Sequence, residues 1–70
     1  MSYLKEKRKE QKMTQRELAE NIGVSRRQVI KWEKKEQMPS PRNLEKLEKI
    51  LELSKVDLII DFFDSPISRL

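Results

Sequence analysis

Seventy residues make one domain by length, and so short a chain hides only about 60% of the surface its unfolded form exposes. It has no Cys and no His, which removes thiol nucleophiles, disulfides, thiolate metal sites, most zinc chemistry and every Ser-His or Cys-His mechanism, leaving at most a carboxylate-only site. The net charge of +4 is uneven: residues 1–35 carry eleven Lys/Arg against five Asp/Glu, and residues 36–70 carry five against seven, so the N-terminal half is the part attracted to a polyanion.

The first residues, Met1 to Arg8, have no apolar stretch behind their charges and do not read as a signal peptide. Residues 3–12 are a charged run of good helix formers with Leu4 as the apolar anchor. Thr14-Gln15-Arg16-Glu17 is a capping box, so a second helix starts at about Gln15 and presents Leu18, Ala19 and Ile22 on one face. It should end at Gly23, the only glycine, because a left-handed helix end is least costly there. Ser25-Arg26-Arg27-Gln28 is a second capping box, opening a helix that turns Val29 and Trp32 inward. Two helices joined by about three residues must bend sharply, and Ala19 is small enough for the second to cross the first. That is the pattern of a helix-turn-helix with its second helix presented outward.

Lys35 to Pro39 reads as a loop. Ser40-Pro41 then starts a fourth helix, with an apolar face of Leu44, Leu47, Ile50 and Leu51. Ser54 to Asp57 caps a short fifth helix containing Val56, Leu58, Ile59, Ile60, Phe62 and Phe63. Its longest unbroken apolar run is Leu58-Ile59-Ile60, far below the roughly 18 residues of a membrane span. The expectation is a soluble, cytoplasmic, all-α protein: one domain over residues 1–64 and a flexible tail over residues 65–70.

The stretch Leu4 to Ile59 resembles the lambda-repressor/Cro helix-turn-helix family, the xenobiotic-response-element class. The resemblance is carried by Thr14-Gln15-Arg16-Glu17-Leu18-Ala19-Glu20-Asn21-Ile22-Gly23-Val24-Ser25-Arg26-Arg27, and then by Val29, Lys31, Trp32 and Glu33. Arg8 also matches a basic position that relatives commonly pair with the acidic residue matching Glu33. The chain departs from the pattern at Lys34-Lys35-Glu36 and near Lys12, where many relatives have Gly, and at Ile30, where many carry a small polar residue. These departures concern the loops and the end of the recognition helix, not the fold.

The resemblance implies a compact five-helix domain that binds double-stranded DNA by sequence, as a small transcriptional regulator and most simply a repressor of phage, mobile-element or bacterial type. The recognition helix, about residues 25–34, would enter the major groove of a palindromic operator. Arg26, Arg27, Gln28 and Lys31 are the candidate base readers, since Arg matches guanine O6 and N7 and Gln matches adenine. Thr14, Gln15, Arg16, Ser25, Lys34, Lys35, Arg42 and Asn43 are the candidate phosphate contacts. Helix capping is the rival role for Gln15, Ser25 and Gln28, and core packing the expected role for Trp32.

Ile59, Ile60, Phe62 and Phe63 surround too much of the fifth helix for one buried face. Asp57, Asp61 and Asp64 leave only a narrow polar stripe. They are therefore the candidate homodimer contacts, against the alternative that they all close the core. A second functional reading keeps the fold and replaces DNA with a protein partner, as in an antitoxin or anti-regulator bound to a toxin or antirepressor. An enzyme built on Glu45, Glu48 and Glu52 is rejected, because with Lys46 and Lys49 they form a solvated charged face. No cofactor, metal, small-molecule ligand or membrane partner is expected.

Overall fold

The computed structural model describes residues 2–63. These residues form five α-helices: α1 (Tyr3–Glu10), α2 (Gln15–Ile22), α3 (Arg26–Glu33), α4 (Pro41–Leu51) and α5 (Lys55–Phe63). No strand occurs among the described residues. The expected tail over residues 65–70, and Asp64, lie outside them.

Each helix begins on a hydroxyl. Ser2, Thr14, Ser25, Ser40 and Ser54 accept from the backbone N–H three residues on, at 3.0–3.2 Å. At Thr14 the box closes: the Glu17 carboxylate accepts from the Thr14 N–H at 2.9 Å. At Ser25 it stays open, correcting the sequence reading. The Gln28 amide instead donates to Gln37 Oε1 at 2.7 Å, in the loop after α3. Met13 and Val24, just before two of these caps, pack against the core and fix the angle at which the chain enters α2 and α3.

The helix ends follow one backbone rule with different residues. Gly23 ends α2 at φ 91°, as its sequence position demands. Lys12 and Lys35 take the same left-handed region at φ 59° and 62°. Around them Met13 N–H donates to Arg8 O, and Glu36 N–H to Lys31 O, each reaching back five residues. Both ends are thus Schellman turns built on lysine where a glycine would be relaxed. Glu52 ends α4 in the left-handed region too, at φ 51°.

Leu4, Leu18, Ala19, Ile22, Val29, Trp32, Leu44, Leu47, Leu51, Leu53 and Leu58 form one core, drawing on every helix. Trp32 is 1% exposed, confirming it as a core residue. Its indole Nε1 is the one buried side-chain polar atom without a partner among the described residues. α2 packs closely on α3, α1 lies against α3 and α5, and α4 lies against α2 and α5. Lys46 on α4 donates to the Ile22 carbonyl at 3.0 Å, so α4 supplies the cation that the C-terminal turn of α2 lacks.

Candidate nucleic-acid interface

α3 turns two faces in opposite directions. Val29 and Trp32 are buried in the core, while Arg26 and Arg27 are exposed. Lys31, one turn beyond Arg27, and Ile30 are half-buried. The first turn of α3 holds no acidic residue. Its leading N–H groups and two guanidinium groups therefore make a strongly anion-attracting end.

A groove of about 480 Å³ runs from the start of α2 to the start of α3, lined by Arg8, Thr14, Gln15, Arg16 and Arg26. None of its lining residues is acidic. It gathers three of the expected phosphate contacts beside one expected base reader. A second groove, of about 350 Å³, lies between the starts of α3 and α4. Ser25, Gln28, Ser40, Asn43 and Trp32 are among its lining residues. Ser25 and Asn43 therefore share one surface, and Arg42 stands exposed beside it at the first turn of α4. Lys34 is exposed and lines a separate groove with Lys5 and Lys9.

Lys35 is placed differently. Its ammonium lies 3.2 Å from Asp61 on α5, with both side chains largely buried. The left-handed backbone at Lys35 aims it across the domain, and the same carboxylate accepts from the Tyr3 N–H at 3.2 Å. This contact joins α5 to the end of α3 and the start of α1, and it draws the Lys35 ammonium onto Asp61 although Lys35 also lines the groove of Lys34.

Beneath the first groove runs a chain of hydrogen bonds. The Arg8 guanidinium meets the Glu33 carboxylate with both forks, Nε to Oε2 at 2.6 Å and Nη2 to Oε1 at 3.3 Å. Arg8 and Glu33 are only 7% and 8% exposed. Arg8 Nη1 also donates to the Met13 carbonyl at 2.8 Å, tying down the α1–α2 turn. Gln15 Nε2 donates to Glu33 Oε1 at 3.1 Å, and Gln15 Oε1 accepts from Arg26 Nε at 3.3 Å. The Arg8–Glu33 pair anticipated from the resemblance is present. Its extension through Gln15 to Arg26 was not visible, because no spacing rule links residues 11 and 18 apart on two different helices.

On α5, Ile59 and Phe62 are half-buried and pack against the core. Ile60 and Phe63 are exposed, at 56% and 69%. Val56, at 62%, belongs to the same stripe by its i, i+4, i+7 spacing and was not among the expected contacts. The sequence held the signal, since 56, 60 and 63 share a helical face. Of the carboxylates weighed for catalysis, Glu45 and Glu52 are exposed, and Glu48 accepts from the Lys55 N–H at 3.2 Å. No cluster able to hold a metal occurs among the described residues, and no helix there is long and apolar enough to cross a membrane.

Two adjoining helices around a left-handed glycine, the second showing arginines outward, define a helix-turn-helix. The family model described as helix-turn-helix matches residues 4–58, and the chain belongs to that family, the Cro/C1-type, lambda-repressor-like group of DNA-binding regulators. No curated protein and no solved structure matches the chain.

Proposed function

We propose that the protein is a sequence-specific transcriptional repressor that binds an inverted-repeat operator as a homodimer and blocks a promoter by occupying it. The observation that carries the reading is the outward face of α3, where Arg26 and Arg27 stand exposed at a helix start without acidic residues. In this reading Arg26, Arg27 and Lys31 contact base edges in the major groove. Each bidentate arginine–guanine pair discriminates by about 1–3 kcal/mol. Gln28 reads a base only after leaving Gln37.

Phosphates of one strand lie along the groove of Thr14, Gln15 and Arg16, and phosphates of the other along Ser25, Arg42 and Asn43. Lys34 adds a cation at the far end of α3. These contacts set the register without selecting sequence. The exposed stripe of Val56, Ile60 and Phe63, backed by Ile59 and Phe62, joins two copies. A two-fold dimer presents two recognition helices about 34–36 Å apart, one DNA turn.

Selection of bound sites from a random duplex library, run beside the Arg26→Ala, Arg27→Ala double variant, tests this reading. An inverted repeat enriched by the wild type and lost by the variant is expected. An enriched single half-site removes the dimer. No enriched motif at low salt removes base reading, and the α5 stripe then points to a protein partner such as a toxin.

A further inference from the structure

We infer that Glu33, which lies beneath the surface, is a positioning residue for base recognition: through Gln15 it fixes how Arg26 is presented to DNA. The inference rests on the reading of Arg26 as a base contact and adds which end of its guanidinium does the reading.

Donor and acceptor inventories fix the polarity of the chain of bonds. Glu33 is an acid whose carboxylate already receives Arg8 through both oxygens. An ionised carboxylate only accepts. The part of the Gln15 amide that meets Glu33 Oε1 must therefore be the NH₂ group, at 3.1 Å. The amide oxygen is left pointing the other way, where Arg26 Nε donates to it at 3.3 Å. Arginine only donates, so this polarity is the one that Arg26 requires. A buried charge pair thus sets the direction of an exposed side chain two hydrogen bonds away. Arg27, the neighbouring candidate reader, has no such tether among the described hydrogen bonds.

The tether occupies Nε and leaves the two terminal nitrogens of Arg26. Guanine O6 and N7 would then be met end-on by Nη1 and Nη2, and the side-on pair using Nε is unavailable. Holding the side chain before DNA arrives also removes part of the ordering cost of binding.

Glu33→Gln reverses the relay. The short bond from Arg8 Nε keeps the remaining oxygen in the place of Oε2, so the new amide NH₂ faces Gln15. Gln15 turns to accept it and offers its own NH₂ to Arg26, donor against donor. Arg26 is released, though no atom that faces DNA has changed. A variant carrying both Arg8→Met and Glu33→Met removes the acceptor that orients Gln15 without stranding a buried charge, and serves if the single change lowers the melting temperature too far.

Two measurements test the relay. The first uses nitrogen-15 NMR of the arginine side chains in the free protein. Arg26 Nε–H should exchange with solvent more slowly than Arg27 Nε–H, and the difference should vanish in the variants. Equal exchange in the wild type overturns the relay whatever the protein binds.

The second is site selection by folded variants. Preference for guanine at the base pair lost on Arg26→Ala should fall about 2- to 13-fold, with other positions unchanged. A uniform loss across positions makes Glu33 merely structural, and an unchanged profile makes the tether irrelevant to reading; either overturns the inference. A wild type that selects no motif overturns the base-reading proposal itself, and with it the role assigned here to Glu33.

Discussion

α2 and α3 are each eight residues long and each start on a hydroxyl cap, yet they use their first turns differently. In α2 the Glu17 carboxylate returns to the Thr14 N–H and completes the box. In α3 the residue at the same position, Gln28, leaves for the loop, and the two positions before it are arginines. The first arrangement places negative charge at the helix start and holds α2 in place. The second leaves the positive end of α3 open to an anion. Within one motif, α2 is built to hold and α3 to contact, and the difference lies in two first-turn side chains, Gln15 against Arg26 and Glu17 against Gln28, rather than in helix length or capping hydroxyl.

The largest expected effect separates these roles through the core. Leu18→Ala, at a fully buried position of α2, should cost about 2–5 kcal/mol of stability by chemical denaturation. The exposed Arg26→Ala, by contrast, should stay within about 0.5 kcal/mol of wild type. Next comes the cap itself. Thr14→Ala removes one bond of the closed box and should cost about 1 kcal/mol, seen as a lower denaturation midpoint.

The expectations are smaller where the sequence departs from its relatives. Lys12→Gly should stabilise the fold by about 1 kcal/mol, because Lys12 stands at φ 59° and its side chain makes no described bond. A drop in midpoint would show that the turn draws support from something other than its backbone. Smallest is the change that tries to convert one helix start into the other. Gln28→Glu should close the box at Ser25 and raise stability by about 0.3–1 kcal/mol through the helix dipole. The same carboxylate should weaken DNA binding by repelling phosphate. A variant that binds DNA more tightly would erase the distinction between α2 and α3.

Four helices were legible because each announces its start with a hydroxyl, and α1 was legible as a run of helix formers around Leu4; Trp32, Leu18 and the α4 leucines fall on regular apolar faces. Gly23 marked its own turn. The turns at Lys12 and Lys35 could be located only as departures from the family pattern, since a lysine gives no local sign of left-handed backbone. Lys35 reads as a surface cation in sequence and becomes the partner of Asp61 once that turn is made. The two capping boxes look alike because their spacing is alike. Only the path of the α3–α4 loop, which brings Gln37 to Gln28, decides that one stays open. Contacts within a helix follow from period and cap chemistry, whereas the relay from Arg8 to Arg26 needs three helices assembled.

In the proposed complex α3 selects sequence while the start of α2 supplies the anchoring charge. Competition binding of the selected operator against scrambled duplex, followed over a range of salt, tests both halves together. Arg26→Ala with Arg27→Ala should abolish the preference for the operator while leaving the salt slope near that of the wild type. Arg16→Ala should keep the preference and lower the slope by about one. A double variant that still prefers its operator, or an Arg16 variant that loses the preference at an unchanged slope, would contradict this division of roles.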